Sequence, residues 1–331
     1  MNVEVVRRYL GASDVDTAPA ATTVQLFGDV SRAPTGLRAR LLRPLVFRDA
    51  LLALGACVRS ELHVDDVELA ERILDPVVTV TADACYIEAL SLDASTYARA
   101  SLYGDAFSDR AHLHPGTTNV EFTPRLVAGL ERIRSGTPTS LDVLAGGIEL
   151  EVAGQVTTET RVTLPDAWVE GFARVQEALA RPQRALDLHP GDLVDVLAYL
   201  RGRRAQTSPR SLRVELVPGA PPAFVVEPWE ERFELARSRH DAAAAETIRL
   251  WGRRRLLLLE RVLPHTRRVH ARLEGSGRAS FWRCDLGDSE FLLATSGWSA
   301  RDWPGRPGDG ALDVLFDPRG ARRVARPLLP E

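Results

Sequence analysis

The sequence predicts an α+β protein built from antiparallel β-meanders and hairpins with several packed helices. Between Val77 and Tyr103, and again between Arg268 and Thr295, short apolar runs with period-two alternation are separated by turn residues, the pattern of antiparallel strands that follow one another in the chain. Two other segments, Trp168 to Leu179 and Leu193 to Leu200, carry apolar residues at helical spacing instead. Proline stands at or near the start of these helices and of a third, where its fixed φ suits the first turn.

Taken in order, Val24 to Val30 and Leu37 to Leu41 read as strands joined through the turn Pro34-Thr35-Gly36. Pro44 then opens a helix, Leu45 to Val58, that is apolar nearly all round and therefore buried; its Arg48 and Asp49 are expected in a solvated first turn, the alternative being a paired charge at the helix entrance. Val78 to Val80, Cys85 to Leu90 and Tyr97 to Tyr103 form the first meander. His112 to Val120 reads as a loop, Pro124 to Arg134 as a helix, and Gly146-Gly147 as the turn of a hairpin between Leu141–Leu144 and Ile148–Val152. The polar stretch Gly154 to Thr160 is the expected boundary. It divides an amino-terminal α+β domain, 1–155, from a second α+β domain, 156–303, which is followed by a Pro-, Gly- and Arg-rich tail, 304–331.

In the second domain, Trp168, Phe172, Val175 and Leu179 make one helical stripe. Leu193, Val196, Leu197 and Leu200 make another, with Asp192 and Asp195 early and Arg201, Arg203 and Arg204 late, as the helix dipole favours. Strands are expected at Leu212–Val217, Ala223–Val226, Glu231–Leu235 and Glu246–Trp251. A helix follows at Arg253–Leu263, then strands at Arg268–Leu273, Phe281–Leu286 and Glu290–Thr295.

All 42 cationic residues are arginine, so chemistry that needs a side-chain amine is excluded: the P-loop and kinase lysines, the Schiff-base lysine and the Ser-x-x-Lys nucleophile. A formal net charge of -3 is too near neutral to argue for a nucleic-acid or membrane partner for the chain as a whole. Charge is nevertheless uneven, since between Arg237 and Arg278 eleven arginines face only Asp241, Glu246, Glu260 and Glu274. No apolar stretch approaches a membrane span, no signal peptide is readable, and the three cysteines form no C-x-x-C pair, so a cytoplasmic protein with free thiols is expected.

No metal site and no cofactor are expected, because His112 and His114 have no third ligand within sequence reach. His189, ahead of Pro190-Gly191, reads as a helix cap. Ser296 and Cys284 lack a recognisable base, and H-E-x-x-H, G-x-S-x-G and G-x-G-x-x-G are absent, so no catalytic residue is assigned and the chain is expected not to be an enzyme. A deep pocket lined by convergent His, acidic and Arg side chains would reverse that expectation. The candidate anion- or partner-binding residues are Arg253, Arg254, Arg255, Arg249, Arg267, Arg268 and Trp251. The three consecutive arginines oppose the dipole of the helix they would open, a cost that pairing with the chain's own carboxylates or with bound phosphates would offset.

Several strings in order, among them Leu74-Asp-Pro-Val-Val-Thr-Val80, Gly116-Thr-Thr-Asn-Val-Glu121, Leu164-Pro-Asp-Ala-Trp-Val-Glu-Gly-Phe172, Val226-Glu-Pro-Trp229, Ile248-Arg-Leu-Trp-Gly-Arg-Arg-Arg255 and Ser296-Gly-Trp298, resemble the amino-terminal region of bacterial SWIM zinc finger family proteins. The family's zinc-binding cysteines have no counterpart in these residues, so zinc is not carried over. The resemblance implies a non-enzymatic binding or scaffold module, an adaptor in a system with a MoxR-type AAA ATPase and a von Willebrand factor A protein. The alternative function is nucleic-acid binding through the arginine-rich segment.

Overall fold

In the computed structural model, residues 3–9, 14–18, 21–27, 36–59, 76–119, 124–136, 138–144, 158–164, 166–181, 183–297, 299 and 302–303 are described. Strands β1 (Val3–Tyr9), β2 (Asp14–Ala18), β3 (Ala21–Phe27) and β4 (Gly36–Leu41) precede helix α1 (Pro44–Val58). β5 (Val77–Val80), β6 (Ala84–Leu90) and β7 (Thr96–Tyr103) are the expected meander. They are followed by β8 (Phe107–His114), β9 (Gly116–Asn119), α2 (Pro124–Leu130), β10 (Thr139–Leu144), β11 (Thr158–Leu164) and α3 (Asp166–Leu179). Then come β12 (Gln183–Leu188), α4 (Pro190–Gly202), β13 (Leu212–Leu216), β14 (Ala223–Val226), β15 (Glu231–Glu234), β16 (Arg239–His240) and β17 (Glu246–Leu250). A 3-10 segment, Arg253–Arg261, leads to β18 (Arg268–Glu274), β19 (Ala279–Asp285) and β20 (Ser289–Ser296).

Nearly all strand pairs are antiparallel, and the α+β class is as expected; β3 and β10 are the parallel exception. The central sheet runs β16-β12-β18-β19-β20-β7-β6-β5-β9. It is assembled from two runs of the same plan. β4–α1–β5–β6–β7 and β17–3-10–β18–β19–β20 are each a strand, a helical segment and a three-stranded meander, and the two meanders meet edge to edge with Leu292 opposite Arg99 at the middle of the seam. The plan extends outward. β9 flanks β5 and leads through α2 to β10, the partner of β4, while β12 flanks β18 and leads through α4 to β13, the partner of β17. The expected domain boundary at 155/156 lies outside the described residues, as does the tail, and the central sheet takes strands from both sides of that boundary.

One face of this sheet is apolar. Ile87, Ala98, Leu102, Val269, Trp282, Phe291 and Leu293 point toward α1, α4 and the 3-10 segment and form the main core. α1 is buried nearly all round as expected, but Asp49 is buried with it: it accepts bidentate hydrogen bonds from Arg48 at 2.9 and 3.1 Å and sits 2.7 Å from His265 Nε2. On the opposite face Leu90, Tyr97, Phe281, Leu292 and Ala294 make a smaller core with Phe172 and Val175 of α3. The rest of that outer face is polar.

The structure corrects several sequence expectations. His112–Val120 is not a loop, since Phe107–His114 is a strand paired with β4 and Gly116–Asn119 a strand paired with β5. β3 and β4 do not pair with each other; β10 lies between them, and so β10 is not the first arm of a hairpin at Gly146-Gly147, which lies outside the described residues. The segment after Gly252 is 3-10 rather than α-helical. Its buried residues Arg253, Leu256 and Leu259 recur every third position, the repeat of a three-residue turn, with Arg255 buried beside them and Val262 continuing the row just past its end. His189 does cap α4, accepting from Gly191 N–H at 3.1 Å.

Cys57, Cys85 and Cys284 are all buried thiols. Burial pushes the Cys85 and Cys284 thiols up to about 12 and raises Cys57 as well. Reaction with an aromatic disulfide reagent is therefore expected only on unfolding; rapid labelling of the native chain would contradict this burial. Among the described residues no helix is long and apolar enough to cross a membrane.

Candidate functional site

The arginine segment is built into the fold. Gly252, in the left-handed region at φ 67°, turns the chain from β17 into the 3-10 segment with its ideal Cβ position only 2.8 Å from Gly297 O, so a side chain there would clash. Arg253 passes inward, donates to Ser211 O at 2.6 Å and to Glu227 O, and lies over the Trp229 ring at 5.4 Å. Burial, with Arg254 beside it, brings its pKa down to about 10. Arg254 donates to Leu200 O at 2.7 Å and Arg203 O at 2.9 Å, filling acceptors that the end of α4 leaves open. Arg255 donates to Ser296 O and Gly297 O at 3.1 and 2.8 Å and lies 3.8 Å from Asp93. The expected pairing with carboxylates is thus mostly pairing with backbone carbonyls.

The remaining predicted residues separate. Arg249 donates to Glu227 Oε1 at 2.9 Å, Trp251 is half-buried, Arg267 is exposed, and Arg268 lies 3.7 Å from Asp187. Glu227 is the hub of its sheet. It is 1% exposed, accepts from Ser211 Oγ and from Arg213 at 3.1 Å, and joins β13, β14 and β17. Burial alone would raise its pKa, but the bonds from Ser211 and Arg249 outweigh burial and hold it below the ordinary value. A carboxylate lowered in the folded state contributes stability that is present above the unfolded pKa, about 4, and is lost as the pH falls through the folded value. Urea midpoints should therefore fall on acidification below about pH 4, and less steeply in Glu227→Gln. An unchanged acid slope in that variant would remove Glu227 from the account.

The polar outer face of the central sheet is the feature that sequence reasoning missed. Directly opposite residues form a row across it: Asp187, His270, Arg283, Leu292, Arg99 and Glu88. At the seam Glu290 is shared by Arg99 at 3.3 Å and Arg283 at 3.5 Å, while Tyr97 donates to Glu88. Burial works against the Arg99 charge, but Tyr97, Glu88 and Glu290 outweigh it and hold its pKa above the ordinary arginine value.

Toward β12 and β16 the row opens into a cleft of about 670 Å³. Its polar lining is Asp187, His240, His270, Arg272 and Arg283 together with the exposed Arg239 and Asp241. Both acids already have counter-charges: Asp187 faces Arg268 at 3.7 Å, and Asp241 faces Arg184 at 3.7 Å. No hydrogen bond joins Asp187 to His270. Burial and then Arg283 lower the His270 pKa, so the ring is neutral at pH 7. The residue types match those set out above as pointing to catalysis, but the cleft is open and no Ser, Thr, Cys or Tyr side chain lines it. The signal was present in part: Arg268, His270 and Arg272 alternate along β18 and so share a face. Among the described residues no group of three His, Cys, Asp or Glu could hold a metal.

No family model matches the chain, and no curated protein matches it. Among solved structures, the fold is similar to that of proliferating cellular nuclear antigen from Entamoeba histolytica, with a TM-score of 0.54 and 9% sequence identity over 78% of this chain and 98% of that one. At that identity the likeness is one of fold alone.

Proposed function

We propose that this chain is a non-enzymatic binding or scaffold module for a partner protein. The observation that carries the reading is where the chemistry-bearing side chains go. Arg253, Arg254 and Arg255 hold backbone carbonyls, Glu227 and Glu290 bind arginines of neighbouring strands, and the lining of the open cleft offers no hydroxyl or thiol side chain. The resemblance to SWIM zinc finger family proteins supports the same reading and suggests the partners, a MoxR-type AAA ATPase or a von Willebrand factor A protein. Nucleic-acid binding through the arginine segment is less well supported, because the guanidinium groups it would need are turned to the protein's own backbone. Affinity purification from the native cell followed by mass spectrometry tests the proposal. Stoichiometric recovery of such an ATPase or von Willebrand A protein is expected; recovery of nucleic acid alone would overturn it.

A further inference from the structure

The carboxy-terminal end of α4 carries charge that the fold does not use. Residues 201–210, Arg-Gly-Arg-Arg-Ala-Gln-Thr-Ser-Pro-Arg, hold four arginines and no acid. Two of the four are engaged: Arg201 pairs with Glu260 at 2.7 Å, and Arg210 donates to Gln206 O at 2.9 Å. Arg203 and Arg204 are exposed, and their guanidinium groups make no ion pair or hydrogen bond with a described residue; Arg203 only rests on the Tyr199 ring, 4.7 Å from its centroid. The helix dipole favours a cation here, but Arg254 already fills the open carbonyls of Leu200 and Arg203.

The surrounding charges leave this pair uncancelled. Burial and then the charge of Arg204 lower the Arg254 pKa; at Arg253 burial and Arg254 act in the same direction, with Arg210 adding to them. The carboxylates nearest to Arg253 and Arg254, Glu227 and Glu260, are claimed by Arg213, Arg249 and Arg201. Glu230 is met by Arg213 at 2.8 Å. The exposed Glu231 of β15, and the exposed Asp195 about two turns back along α4, bound the patch and keep it small.

Apolar surface adjoins the arginines. Val194, 51% exposed, and the exposed Ala198 lie one turn apart on the solvent side of α4. A nucleic acid would use the arginines but not this aliphatic strip, and a long polyanion would run onto Glu231 and Asp195. A short acidic segment with an apolar side chain uses both features, because each guanidinium fork suits one planar carboxylate.

We propose that the exposed face of α4 and the loop after it dock a short acidic segment of a partner protein, its carboxylates on Arg203 and Arg204 and an apolar side chain against Val194 and Ala198. The assignment rests on the reading of the chain as a binding module and supplies the surface that reading requires. Selection of displayed random short peptides on the immobilised full chain, followed by anisotropy titration of the labelled selected peptide, tests it. Peptides rich in Asp and Glu that also carry Leu, Val or Phe are expected, and their binding should weaken as salt is raised. Affinity should fall about tenfold in Arg203→Gln/Arg204→Gln and stay unchanged in Arg267→Gln, an exposed arginine outside the patch. Both patch arginines are exposed, so the double variant should fold like the parent; an unchanged urea midpoint checks this. Val194→Glu should weaken the peptide as well, and no effect there would overturn the apolar seat and leave a site made of charge alone. Selection of no acidic peptide, or affinity that the double variant leaves unchanged or Arg267→Gln weakens as much, would overturn the assignment. So would binding of an oligonucleotide through Arg203 and Arg204 when no acidic peptide is selected. Recovery of the same protein partner from the native cell by parent and double variant alike would overturn this surface and leave the binding-module reading standing. Recovery of no partner by the parent, with peptide binding as expected, would count against that reading and not against the surface.

Discussion

Replacing Arg99 with methionine should lower stability by about 3–5 kcal/mol, the usual cost of removing one partner from a buried ion pair. The side chain is 3% exposed and stands at the seam where the two meanders join, opposite Leu292, with Glu290 on one neighbouring strand and Glu88 on the other. Without the guanidinium, Glu290 keeps Arg283 and the Tyr103 hydroxyl but loses its cation on the β7 side, and Glu88 keeps its hydrogen bond from Tyr97 but loses the charge of Arg99 beside it. Arg99 Nε and Nη1 are buried without a hydrogen-bond partner, so the wild-type arrangement is not an ideal one. That tempers its net worth relative to an apolar replacement of the whole cluster, but not the cost of leaving carboxylates behind. The double variant Arg99→Met/Glu290→Gln should accordingly recover part of the loss. Equilibrium urea unfolding of the two variants and the parent checks this, and a single variant within about 0.5 kcal/mol of the parent would show that the seam does not depend on the pair.

The second large effect is expected at Arg253. Glutamine there is shorter and uncharged, and it cannot reach the carbonyls of Ser211 and Glu227 together or cover Trp229. Ser211 O keeps the Glu227 N–H as a donor at 3.2 Å, so Glu227 O is the carbonyl left without its donor, and with the cover over Trp229 lost as well a loss of about 1–3 kcal/mol is expected. The loss should appear as a lower urea midpoint with an unchanged slope. A variant as stable as the parent would mean that Arg253 is free to serve a ligand.

Most of the strands were legible in the chain because their apolar residues alternate and are bounded by turn residues, as in β6, β7, β13 and β20. β12 was not. Its sequence, Gln-Arg-Ala-Leu-Asp-Leu, has only Leu186 and Leu188 facing the core, and its outward residues Ala185 and Asp187 belong to the cleft. β8 was missed for a related reason. It is polar along much of its length and is a strand because β4 offers it an edge, a long-range pairing that local pattern does not encode. The arginine cluster was visible as charge, but its partners are carbonyls at the end of α4, at the start of β13, after β14 and at the end of β20, which only the folded topology brings together. The cleft needed both gaps closed at once: β18 showed its polar face, but Asp187 and Arg239 come from strands that were not foreseen.

The central claim is that the arginine segment serves the fold, leaving the chain to act as a binding scaffold, and the triple variant Arg253→Gln/Arg254→Gln/Arg255→Gln tests it most directly. Thermal unfolding and fluorescence-anisotropy titration of a labelled oligonucleotide over a range of salt are measured on the same preparations. The account predicts a marked fall in thermal stability, with whatever oligonucleotide binding the parent shows keeping its affinity and salt slope. An unchanged melting temperature, with weaker binding and a salt slope smaller by about 0.7–0.9 per lost phosphate contact, would contradict it.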